Sequence, residues 1–210
     1  MTIVTAIDLP SLTQLEIGLD RFSNNFPTGE DKLKIIFLSR ISPMKNLDFA
    51  LSIFSSVSAE VQFDIYGPKE NLEYWKQCNL QIISRPKNIY INYRGSVLPE
   101  NIQEVFSNYD LLLFPSRGEN YGHVIAESLS VETIVFISNR TPWNNLQEKN
   151  LGWDIKLEDK LGFFDVINSF SLSLSIERKR DRCKAVNALK SLLLDPEKIE
   201  ENRKLFSIIK

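Results

Sequence analysis

Hydrophobic positions along the chain fall into short continuous runs that alternate with stretches of helical spacing. Lys34 to Ser39 is an apolar run of strand length, and beyond Pro43 and Asn46 apolar residues recur at Leu47, Ala50, Leu51, Phe54 and Val57, the period of one helix face. Val61 to Tyr66 repeats the strand signal and stops at Gly67-Pro68; Glu70 to Ile83 then reads as a helix around Leu72, Trp75 and Leu80. Ile89 to Arg94 is a third strand, closed by Gly95, and Pro99 stands near the start of a helix with Ile102, Val105, Phe106 and Tyr109 on one side. Leu111 to Phe114 is apolar throughout, as a strand buried on both faces must be. After the loop Pro115 to Tyr121, a helix from about Gly122 to Val131 leads to a fifth strand, Ile134 to Ser138, and Leu151 to Ile155 is a short sixth. Ser175 to Lys210 has helical composition broken at Asp195-Pro196, which predicts two terminal helices. Residues 1–33 show no sustained period, and Ser23 to Gly29 reads as loop. Strands alternating with helices predict the α/β class, a doubly wound parallel sheet covered on both faces.

Composition narrows the chemistry. The 25 basic and 27 acidic residues leave a net charge of −2, so no overall field draws the chain to nucleic acid, and any phosphate must be held by local groups. Apolar runs stay far short of the ~20 residues that span a bilayer, and Met1 to Pro10 lacks the features of a secretion signal. A cytoplasmic protein is expected, with peripheral contact at the inner membrane as the alternative. Cys78 and Cys183 form no paired motif and His123 is the sole histidine, so no metal site is expected. Gly-x-Gly-x-x-Gly, the P-loop and the Gly-x-Ser-x-Gly elbow are missing from the sequence, which argues against dinucleotide oxidoreductases, P-loop NTPases and α/β-hydrolases.

Ligands of open α/β sheets bind at the carboxyl ends of the strands. The first strand exits into Arg40 and Lys45 across a Ser-Pro turn, two cations able to meet a diphosphate; the other reading of the pair is a solvated surface feature. The fourth exits into Glu119-Asn120-Tyr121-Gly122-His123-Val124-Ile125-Ala126-Glu127. There Gly122 permits close approach of a ligand, and the helix behind it turns free N–H groups and the positive end of its dipole to the same edge. Glu127 lies too far along the helix to share one bond with Glu119, so two contacts on an elongated ligand fit better than a glycosidase pair. Glu119 also reads as a helix N-terminal acid, Glu127 as an ordinary exposed helix residue, Tyr121 as a pocket wall, and His123 as a helix-start residue with no ionisable partner nearby. Arg178, Lys179, Arg180, Arg182 and Lys184 read as a solvated basic face, with docking to a membrane or another domain as the lesser reading.

These segments, with Phe63-Asp-Ile-Tyr-Gly67-Pro and Tyr93-Arg-Gly95-Ser-Val97, resemble the group 1 (family 4) retaining glycosyltransferases. The resemblance covers about Lys34 to Ile155. It implies a GT-B fold, two Rossmann-like domains across a cleft, of which this chain carries the C-terminal, donor-binding one. By position, Arg40 and Lys45 would neutralise the donor diphosphate. Glu119 would bond donor-sugar hydroxyls beside Asn120, Tyr121, Gly122, His123 and Val124, while Glu127 would hold the ribose and Gly67 and Val97 would border the nucleotide. The implied ligand is a UDP- or GDP-linked sugar used without metal or other cofactor, and the implied acceptor a glycan or lipid-linked molecule. Residues 1–33 would be interdomain linker, 34–170 the donor domain and 171–210 a helical tail. The acceptor-binding half is expected on a separate N-terminal partner, and self-association or the chain's own first 33 residues would cover the open wall. A non-catalytic nucleotide-sugar module, a split-enzyme subunit and a decayed enzyme remain alternatives. The sequence departs from the family at Asn46, Glu132 and Ile134, where Gly, Gly and Pro are common.

Overall fold

A computed structural model of the chain describes residues 32–173 and 175–193. Six strands, β1 (Leu33–Leu38), β2 (Val61–Tyr66), β3 (Ile89–Gly95), β4 (Leu111–Phe114), β5 (Ile134–Ser138) and β6 (Gly152–Ile155), form one parallel sheet in the order β3-β2-β1-β4-β5-β6. The helices are α1 (Leu47–Ile53), α2 (Leu72–Ile83), α3 (Ile102–Ser107), α4 (His123–Ser130), α5 (Lys160–Leu172) and α6 (Ser175–Leu193). α1 packs on α2 and α5, while α4 packs on α3 and α6. Every residue of β4 and β5 is buried, so the two helix sets cover opposite faces, as right-handed crossovers require. The expected doubly wound sheet is therefore present. The chain reverses its direction of winding between β1 and β4, which opens a crevice at their carboxyl ends.

α5 answers no element expected from the sequence. Asp159 caps it by accepting a hydrogen bond from the Gly162 amide (2.9 Å). Phe163 then stacks on Phe136 of β5 with centroids 4.6 Å apart and meets Phe49 of α1 edge-on at 5.0 Å. Truncating such a ring costs about 3 to 5 kcal/mol, so α5 is part of the core. The boundary placed at residue 171 falls inside this helix, and β1 starts one residue earlier than expected, with Leu33 opposite Val61. The strand-like Ile3 to Pro10 and the helix expected beyond Asp195-Pro196 lie outside the described residues.

The basic run near residue 180 is a solvated face only in part: Arg178 and Arg182 turn inward. Arg178 and Arg182 are 3% and 5% exposed. Arg178 donates to the Ser173 carbonyl, and Arg182 donates to the carbonyls of Glu132 (2.7 Å) and Ser107 (3.4 Å) and to the Asp110 carboxylate (3.2 Å). α6 lies against α4 and β5, where the turns entering β4 and β5 leave acceptors open, and one planar guanidinium fork serves three of them. Arg180 and Lys184 remain exposed; the side chain of Lys179 lies outside the described residues. Among the described residues no helix is long and apolar enough to cross a membrane.

Candidate functional site

Three strand exits are sewn together at the carboxyl edge. The Ser39 amide donates to the Tyr66 carbonyl (3.0 Å), the Ile41 amide to Pro68 (2.9 Å) and the Gly67 amide to Gly95 (2.8 Å). Gly67 has φ +133°, and a Cβ there would lie 1.8 Å from the Ser39 carbonyl oxygen, so only glycine lets β2's exit pass that of β1. The β1 and β4 exits are joined through Asn46. It adopts the left-handed conformation (φ 62°), which asparagine tolerates better than most residues, so the departure from the family's glycine keeps the backbone path. Its side chain donates to the Pro115 carbonyl (3.0 Å) and accepts from Arg117 Nε (3.0 Å), and the Arg117 amide donates to the Met44 carbonyl (2.8 Å).

This join brings Lys45 against Glu119. The ammonium lies 2.6 Å from Glu119 Oε2, and their side chains are 11% and 19% exposed. Glu119 Oε1 accepts from the Asn120 amide (3.1 Å). A lysine 74 positions away in sequence is thus a direct partner of the glutamate, for which the sequence offers a ligand contact or a dipole-facing acid but no ion pair. Arg40 does not join this pair. It is exposed and bridges to Glu70, so the two cations engage different carboxylates.

The positive end of α4 faces the same edge. Gly122 occupies its N-cap in the left-handed region (φ 71°) and supplies no side-chain cap; the first amides of the helix, at His123 and Val124, have no acceptor in their own helix. Trp143, a residue sequence reading did not single out, fixes this turn: its indole N–H donates to the Tyr121 carbonyl (3.0 Å), and its ring would lie 3.1 Å from a Cβ on Gly122. Its signal was being an aromatic among polar residues just past β5. Asn120, Tyr121 and His123 are exposed, Val124 and Val97 half-buried. Burial raises the Glu127 carboxyl above its ordinary range, and His123, one turn before it, pulls it partly back. His123 therefore has an ionisable neighbour, in correction of the sequence reading. A shallow cavity of about 440 Å³ adjoins the join from the α1 side, lined in part by Asn46, Asp48 and Arg117. Among the described residues no cluster of side chains suits a metal ion.

A buried cation on a carboxylate, beside free helix amides at a sheet's switch point, suits a polar, anionic ligand. The family model for Glycosyl transferases group 1 matches residues 20–151. The chain belongs to this family. Among curated proteins none matches the sequence. The glycosyltransferase fold is shared with solved structures. WaaG, a glycosyltransferase involved in lipopolysaccharide biosynthesis, superposes with TM-score 0.62 at 14% identity over 81% of this chain and 49% of its own. HepE of Anabaena in complex with UDP-glucose gives TM-score 0.62 at 20% identity over 94% and 52%. The catalytic domain of the Helicobacter pylori cholesterol-α-glucosyltransferase gives 0.60 at 14% identity over 76% and 98%. This glycosyltransferase chain spans about half the length of WaaG and HepE, and its single sheet corresponds to the C-terminal Rossmann-like domain of the GT-B arrangement.

Proposed function

We propose that the chain is the donor-binding domain of a retaining glycosyltransferase, holding a UDP- or GDP-linked hexose for transfer to a glycan or lipid-linked acceptor. The observation that carries this reading is the buried Lys45–Glu119 pair where the β1 and β4 exits join, next to the open N-terminus of α4. Lys45 and Arg40 bind the diphosphate, Glu119 takes donor-sugar hydroxyls, and Glu127 holds the ribose, with Gly67 and Val97 beside the nucleotide. As the anomeric C–O bond breaks and the acceptor oxygen enters from the same face, negative charge grows on the departing diphosphate. Lys45, already fixed by Glu119, meets that charge without reorganising. Two cations and the α4 amides supply the positive potential, so binding needs no divalent metal.

The acceptor hydroxyl must be placed by a second wall. Positioning accounts for ~7 to 11 kcal/mol of such a barrier, so the reading assigns acceptor binding to an N-terminal half acting with this domain. HepE was solved with UDP and with UDP-glucose, which makes uridine nucleotides the first ligands to test. Calorimetry should give UDP or GDP binding that is unchanged in excess chelator, and labelled donor with an acceptor pool should give transfer only when an N-terminal half is added. Absence of nucleotide binding sinks the reading; binding without turnover in the presence of that half favours a non-catalytic module.

A further inference from the structure

We propose that Asp64 is a positioning residue for the nucleobase end of the site: through Arg94 it holds a β-bulge that aims the β3 exit loop, Gly95 to Val97. This rests on the reading of the chain as a donor-binding domain. The β2/β3 ladder runs in register from Val61 opposite Ile89 to Ile65 opposite Tyr93, and then Tyr66 pairs with Gly95. Arg94 is the extra residue. Bulges are rare in parallel ladders and recur beside active sites, where they redirect the chain.

Asp64 explains why the bulge holds. It is 1% exposed, yet its carboxylate is saturated: Oδ1 accepts from Asn92 (2.7 Å), and Oδ2 accepts from Gln62 (3.0 Å), Tyr109 (2.8 Å) and Arg94 Nε (3.1 Å). Arg94 carries the one positive charge in this set and is tied to the buried anion. Directly past the bulge, Gly95 has φ +82° with open space around any Cβ, so glycine serves the chain direction there and not packing. Its carbonyl then receives the Gly67 amide, and the Tyr93 hydroxyl donates to the Gly67 carbonyl (2.9 Å), which locks the redirected loop onto the β2 exit. Val97, the residue assigned to the base, follows two positions later.

The test compares the wild-type chain with Arg94→Gln and Asp64→Asn by hydrogen exchange, and by calorimetry with uridine, UDP and pyrophosphate. The amides of Ser96 and Val97 should exchange faster in both variants while those of Asn120 to Gly122 do not change. Uridine and UDP should both bind three- to tenfold more weakly, with pyrophosphate unaffected. Unaltered exchange at Ser96 and Val97 overturns the proposal, as does a loss shared by pyrophosphate, which would mark general destabilisation. Should Asp64→Asn fail to fold, Arg94→Gln, altered at a half-exposed side chain, carries the test alone. A wild-type chain that binds neither uridine nor UDP refutes the donor-binding reading, whereas the exchange measurement still decides separately whether Asp64 holds the loop.

Discussion

Replacing Lys45 by methionine keeps most of the side chain's volume and removes its charge, which isolates the pair at the centre of the site. At 2.6 Å and an effective dielectric constant of about 20, the gross attraction to Glu119 is ~6 kcal/mol. Desolvating both groups consumes much of that, and the loss on breaking a fully buried pair is about 3 to 5 kcal/mol. Because 11% and 19% of the two side chains still meet water, the expected destabilisation falls below that range, about 2 kcal/mol in urea unfolding. Ligand binding is a separate quantity. A hydrogen bond from an ammonium to phosphate is worth about 1.5 to 3 kcal/mol, but the wild-type ammonium already serves Glu119, so the lower end applies. UDP affinity should fall roughly tenfold, the equivalent of about 1.4 kcal/mol, with uridine affinity within twofold of wild type. Glu119→Gln completes a double-mutant cycle, in which a coupling of about 1.5 kcal/mol is expected. A coupling near zero would refute the ion pair as a stabilising contact, and a uridine loss equal to the UDP loss would refute the assignment of Lys45 to the phosphate.

Four further outcomes are expected. Arg40→Ala should weaken UDP less than Lys45→Met, since Arg40 is exposed and its Glu70 partner is a surface one; a larger loss in calorimetry would reverse the ranking. Glu127 has a folded-state pKa above its unfolded one, so its neutral form favours folding at low pH and that contribution is lost as pH rises through the folded value. Glu127→Gln should therefore gain stability over wild type at pH 7.5 relative to pH 4, and a thermal melt showing the same difference at both would count against burial as the cause. Gly67→Ala combines a positive φ with a direct clash and should cost about 3 kcal/mol or more by chemical denaturation, a value under 1 being incompatible with the loop crossing described. Arg182→Ala should cost about 3 kcal/mol and Lys184→Ala under 0.5, so equal melting temperatures would restore the solvated-face reading.

Legibility in the sequence followed locality. β4 and β5 lie where the apolar runs placed them, because runs buried on both faces need no knowledge of the partner. α5 escaped notice since Leu161, Phe163, Phe164, Val166, Ile167, Phe170 and Leu172 leave little polar face to reveal a period; the Asp159 cap and the spacing Phe163, Ile167, Phe170 were the readable signals. Arg182 looked like surface because its acceptors lie 50 or more positions away. The same limit applied to the site. Lys45 and Glu119 were each identifiable from type and position, but their ion pair and the role of Asn46 exist only once β1 and β4 are side by side, and that of Trp143 only once β4 and β5 are.

The clasp made by Arg182 also has a meaning in time. During synthesis β5 leaves the ribosome roughly 45 residues before Arg182 does, a delay of a few seconds at ~5 to 20 residues per second. Through that interval the Glu132 carbonyl, held by a non-glycine residue at φ 65°, lacks its arginine donor, and α4 and β5 lack the helix that packs against them and buries Ala185 and Leu189. By then α3 and α4 already cover this face of the sheet, and only the patch on α4 and β5 where α6 packs stays open until α6 arrives.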